Sequence, residues 1–90
     1  MAHTIRDKPK LLSRVRRIRG QVEAVERALE GGKACGEVLQ CIAAARGAMN
    51  GLMAEVLEGH IRVHVAAPAR ESNRLKGADE LINIVRAYLK

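Results

Sequence analysis

Two apolar stripes with alternating steps of four and three constrain this chain more than any other feature. The first is Leu11, Val15, Ile18, Val22, Val25 and Leu29; the second is Val38, Ile42, Ala45, Met49, Leu52 and Val56. Such spacing draws one line down an α-helix and does not fit the alternation of a strand. The first stripe predicts a helix over about 8–30. Asp7 serves as its N-cap, Pro9 is tolerated in its first turn, and Gly31-Gly32 ends it. The second predicts a helix over about 35–65, stopped by Ala66-Ala67-Pro68. Residues 68–77 are polar and small, and read as a loop. A short last helix over about 79–89 follows, with Leu81, Val85, Tyr88 and Ile82, Val85, Leu89 as its apolar face. No segment alternates convincingly, and the expected class is all-α with three helices.

Ninety residues with no Trp, no Phe and one Tyr must build a core from Leu, Ile, Val, Ala and Met. One domain over 1–90 is expected, with residues 1–6 as an N-terminal arm. A chain this short buries a modest share of its surface alone, so oligomerisation would supply the missing core. No stretch is long or apolar enough to cross a membrane, and the opening does not read as a secretory signal. Two cysteines six positions apart in a helical context do not form a disulfide framework. Reduced thiols in a cytoplasm are the expectation.

The formal net charge of +6 is concentrated at one end. Residues 1–20 hold Arg6, Lys8, Lys10, Arg14, Arg16, Arg17 and Arg19 against the single acid Asp7, whereas basic and acidic residues balance beyond. Lys10, Arg14 and Arg17 share a line on the first helix, with Arg16 and Arg19 beside it. A basic block of this kind points to a polyanion. Stacking aromatics are lacking, which argues against a single-stranded RNA platform. Both main helices are too long for a helix-turn-helix. Duplex DNA bound through its phosphates fits best. No paired-carboxylate pocket, nucleophile motif or Gly-rich phosphate loop supports an enzyme.

His60 and His64 are four apart and stack on one helix face, where two imidazoles reach one ion. Two ordinary surface histidines are the plainer alternative. Cys35 lies at the far end of the same helix, roughly 37 Å from His60 at the helical rise. One straight helix cannot bring Cys35 and the histidines to one ion, but two copies crossing antiparallel about a two-fold axis can. Their crossing point would fall near the small residues Ala43-Ala44-Ala45-Arg46-Gly47-Ala48, which suit close approach. With His3 in the arm, these positions exhaust the histidines of the chain, and a metal site outweighs the plainer alternative. Thiolate and imidazole donors suit Co(II), Ni(II), Cu or Zn(II) better than Ca or Mg. Cys41 reads as a half-buried filler, and Met49 and Met53 read as packing.

Met1-Ala2-His3-Thr4-Ile5-Arg6-Asp7-Lys8, Arg16-Arg17-Ile18-Arg19-Gly20-Gln21-Val22-Glu23-Ala24, Val38-Leu39-Gln40, Ile42-Ala43-Ala44, Arg46-Gly47-Ala48 and Asn50-Gly51-Leu52-Met53 together resemble the RcnR/CsoR family of small helical bacterial repressors. Arg86-Ala87-Tyr88-Leu89-Lys90 resembles the family's end, while 65–80 match little. The resemblance implies antiparallel dimers assembling into tetramers, with effector sites between the central helices of two protomers. The family's four sensing positions here read His3, Cys35, His60 and His64, similar to the nickel- and cobalt-sensing RcnR branch. There the terminal amine, exposed at Ala2 once Met1 is removed, adds a further nitrogen. Arg14 and Arg17 match basic positions that the family uses on DNA. Copper-sensing members place a Cys where His64 stands. Formaldehyde-sensing FrmR members usually lack the last His and carry Pro at the second residue, so Ala2 and His64 argue against that branch. Cys41 departs from the family's common Gln-Gln pair.

The expectation is a metal-responsive repressor whose apo form binds double-stranded operator DNA and is released by Ni(II) or Co(II). Two alternatives stand beside it: an aldehyde-responsive repressor using Cys35 and the terminal amine, and a metal-storage or delivery protein without specific DNA binding.

Overall fold

The computed structural model describes residues 7–88, which are almost wholly helical and contain no strand. In chain order they form α1 (Lys8–Glu30), α2 (Cys35–His60), a π-helical segment (Ile61–Ala66) and α3 (Glu71–Tyr88). Two compact units divide them, one from Asp7 to Met53 and one beginning at Ala54.

In the first unit α1 starts at Asp7, whose carbonyl takes the Leu11 amide at 3.0 Å; its side chain makes no capping bond. Pro9 sits in the first turn, where its missing N–H removes no helical bond. The helix closes in a Schellman motif. Lys33 donates its amide to the Ala28 carbonyl at 3.0 Å and Gly32 to the Leu29 carbonyl at 3.2 Å. The motif requires a left-handed residue, and Gly32 supplies it at φ 64°. After this turn α2 runs back along α1. Arg14, Arg17, Ile18 and Gln21 of α1 line one groove with Ala44, Gly47 and Ala48 of α2.

The sequence stripe of α1 divides between two directions. Ile18 is buried and Leu11 and Val25 are half-buried, whereas Val15, Val22 (53 % exposed) and Leu29 (63 % exposed) face outward. Successive stripe positions stand roughly 40–60° apart around the axis, so the two halves of the pattern face different surroundings. On α2 the half-buried line is Val38, Cys41, Ala45, Ala48, Leu52, while Leu39, Ile42, Met49 and Met53 are exposed. Within the single chain, half of the α1 stripe thus packs inward. Among the described residues Ile18 and Ala28 are the buried apolar side chains.

In the second unit the chain passes from α-helix into a π-helical turn after His60, marked by the Ala67 amide bonding back to the Arg62 carbonyl at 3.0 Å. The central helix expected over 35–65 is therefore helical throughout but widens over its last turn and a half. The last helix begins at Glu71 rather than about 79, and the expected loop 68–77 is corrected accordingly. Arg74 explains the early start. Its Nη1 donates to the carbonyls of Pro68 (2.9 Å) and Ala69 (3.0 Å), tying the turn to the first coil of α3. Arg74, Ala78, Leu81 and Ile84 are half-buried, and Leu75, Ile82, Val85 and Tyr88 face outward. Leu89 lies outside the described residues. No helix is long and apolar enough to cross a membrane.

Candidate metal centre and basic face

His60 is the last residue of α2 and His64 the fourth of the π-helical segment, so the change of helix type falls between them. Their ring centroids are 4.9 Å apart and their planes meet at 43°. Both side chains are half-buried. The pair therefore presents two imidazoles to one neighbourhood, with burial that excludes part of the competing water.

A third element touches both histidines. The Nε2 atom of His60 lies 2.9 Å from the Gly77 carbonyl of α3. A carbonyl oxygen only accepts, so Nε2 carries the proton, and in the neutral ring the lone pair lies on Nδ1. Gly77 is the buried residue of α3, and a Cβ built there would fall on the His64 carbonyl. Away from the histidine face, Arg62 donates from Nε (3.1 Å) and Nη2 (2.9 Å) to Glu58 Oε1, an exposed pair one turn apart across the passage from α2 into the π-helical segment.

Among the described residues no group of three His, Cys, Asp or Glu side chains is placed to hold an ion. The structure brings His60 and His64 together and adds no third donor from the described part of the same chain. Cys35 is exposed at the first position of α2, and Cys41 is half-buried on that helix. His3 and the Ala2 amine lie outside the described residues. His64 also lines a concavity with Pro68, Asn73, Lys76, Gly77 and Glu80. That wall was missed in the sequence because 68–77 had no apolar periodicity to mark a helix. Read as part of a loop, Gly77 gave no signal of its own; only its place inside α3 marks it as a packing contact.

On α1 the basic residues separate into two groups. Lys10, Arg14 and Arg17 share a concavity with Ser13, which sequence reasoning did not single out. Arg16 and Arg19 are exposed, roughly 100–180° around the axis from that group. Arg14 also reaches over Gly51 of α2, where an added Cβ would stand 3.3 Å from its Nη1.

The chain is 58 % identical, over the full length of both, to the "Uncharacterized protein in bioA 5'region" of Serratia marcescens. It is 44 % identical, again over both full lengths, to the transcriptional repressor RcnR of Salmonella paratyphi B. Among solved structures it is similar to a histidine-for-glutamate variant of the formaldehyde-responsive regulator FrmR from Salmonella enterica serovar Typhimurium. That likeness has a TM-score of 0.82 and 50 % identity, and covers 92 % of this chain and 94 % of the other. Residues 7–87 match the family described as "Metal-sensitive transcriptional repressor". This chain is therefore a member of the metal-sensitive transcriptional repressors, a family of DNA-binding regulators rather than enzymes.

Proposed function

We propose that this protein is a Ni(II)- or Co(II)-responsive repressor whose metal-free form holds operator DNA and whose metal-bound form releases it. The observation that carries this reading is the His60–His64 pair, 4.9 Å between ring centroids at the end of a helix that begins with Cys35. Two such helices crossing antiparallel would set Cys35 of one protomer beside His60 and His64 of the other. His3 and the Ala2 amine would complete a donor set of nitrogens and one sulfur. That set fits borderline cations, with Zn(II) and Cu as competitors, and not Ca or Mg. A bound ion would supply the attraction that draws these donors together across the protomers.

Lys10, Arg14 and Arg17 form the duplex-contacting face, and Arg16 and Arg19 add to the positive field from other sides of the helix. The outward apolar residues of both units support a dimer and then a tetramer, repeating this face along the DNA. Linkage makes the coupling reciprocal: if metal weakens DNA binding, DNA weakens metal binding by the same factor. Thiolate and imidazole must shed protons to ligate, so metal affinity falls as pH drops.

A second reading has support in the 50 % identity to a formaldehyde-responsive regulator and in the exposed Cys35 thiol. The thiol would add to formaldehyde, and the terminal amine would displace water from the adduct to leave an S–CH2–N bridge. One experiment separates the two. Reduced, metal-free protein is bound to its own upstream DNA and titrated separately with Ni(II), Co(II), Zn(II), Cu(I) and formaldehyde. Release by Ni(II) or Co(II) is expected. Release by formaldehyde alone would assign Cys35 as a nucleophile, and failure to bind DNA would favour metal storage or delivery.

A further inference from the structure

We propose that Gly77 is the positioning residue of the histidine pair, acting through its carbonyl on His60 and through its missing side chain on His64. Three observations converge on this one residue of α3. Its carbonyl accepts from His60 Nε2 at 2.9 Å. A Cβ at the same position would overlap the His64 carbonyl. Gly77 is also buried, while the positions on either side of it, Lys76 and Ala78, are exposed and half-buried.

Each contact has a separate consequence. Holding the proton on Nε2 selects one tautomer, so His60 meets a cation through Nδ1. Close seating of α3 on the His64 backbone fixes the π-helical turn on which that ring is carried. Helix interiors disfavour glycine relative to alanine, and here the missing methyl group is what permits the approach. Movement of α3 would therefore disturb both rings at once. Its use in sensing rests on the reading of His60 and His64 as ligands, but the positioning itself is measurable without metal.

Full-length protein carrying 15N-labelled histidine is examined by NMR, metal-free at about pH 8, above the usual imidazole range. His60 is assigned with His60→Gln. The expected wild-type signature is a single Nε2–H tautomer whose proton exchanges slowly enough with solvent to be observed. In Gly77→Ala that proton should be lost to exchange and the ring nitrogens should average between tautomers. Ni(II) affinity should fall by about 10–100-fold, the usual scale for removing a ligand's hydrogen-bond partner, with helicity by circular dichroism retained. An Nδ1–H or averaged His60 in the wild type overturns the proposal, and this result is decisive even if Gly77→Ala fails to fold. Unchanged ring-nitrogen shifts in the variant also overturn it, as does unchanged affinity where the wild type binds Ni(II). If the tautomer behaves as expected and neither protein binds Ni(II) or Co(II), Gly77 positioning stands and the metal reading fails.

Discussion

Replacing His64 with Glu exchanges an imidazole nitrogen for a harder carboxylate oxygen at a half-buried position beside His60. Softer and borderline cations lose more from that exchange than hard ones. His64→Glu should weaken Ni(II) or Co(II) binding by at least about tenfold, or about 1.4 kcal/mol, and leave apo binding to DNA intact. Competition titrations with a chromophoric chelator and parallel gel shifts would check both halves. An unchanged metal response would remove His64 from the donor set. At this scale the sequence was informative about residue type but not about contact. The spacing of His60 and His64 put them on one face, yet the tautomer of His60 depends on a carbonyl seventeen positions away. No local pattern encodes that partner.

The helices differ in how directly their roles could be read. α1 carries a basic line that periodicity alone revealed, and the structure gathers Lys10, Arg14 and Arg17 in one concavity. Arg14→Ala with Arg17→Ala should lower DNA affinity, and each lost phosphate contact should shallow the log–log salt slope by about one. Fluorescence anisotropy at several salt concentrations would measure it, and an unchanged slope would place the DNA face elsewhere. α3 was legible only in its second half, where Leu81, Ile82 and Val85 repeat at helical spacing. Its first turns are built instead by Arg74, bonded to the Pro68 and Ala69 carbonyls. Arg74→Ala should fray that end and cost about 1–3 kcal/mol, the range for removing charge-assisted bonds. Urea unfolding should show a lower midpoint, and hydrogen exchange should rise first near 70–75.

For the whole molecule, the balance of buried and exposed apolar side chains carries the main argument. Ile18 and Ala28 are buried, while Met49 (50 % exposed), Val22, Leu39, Ile82 and Tyr88 stay outside. Burying one side chain of the Ile class contributes about 1.5–3 kcal/mol, far too little alone against the ordering entropy of such a chain. Met49→Glu would place a charge on the outward line of α2, where a second copy is proposed to pack, and desolvating it there is costly. Sedimentation should show a shift to smaller species, and an unchanged mass would move the interface off this line. The all-α class, the bounds of α1, the basic segment and the family were determined by the sequence itself, because periodicity, glycine turns and charge are local properties. Only the tertiary structure decided which half of each stripe faces inward, where α3 begins, and how Gly77 meets the histidines. Stripe positions 40–60° apart are equally apolar in sequence, and only packing distinguishes the inner face from the outer.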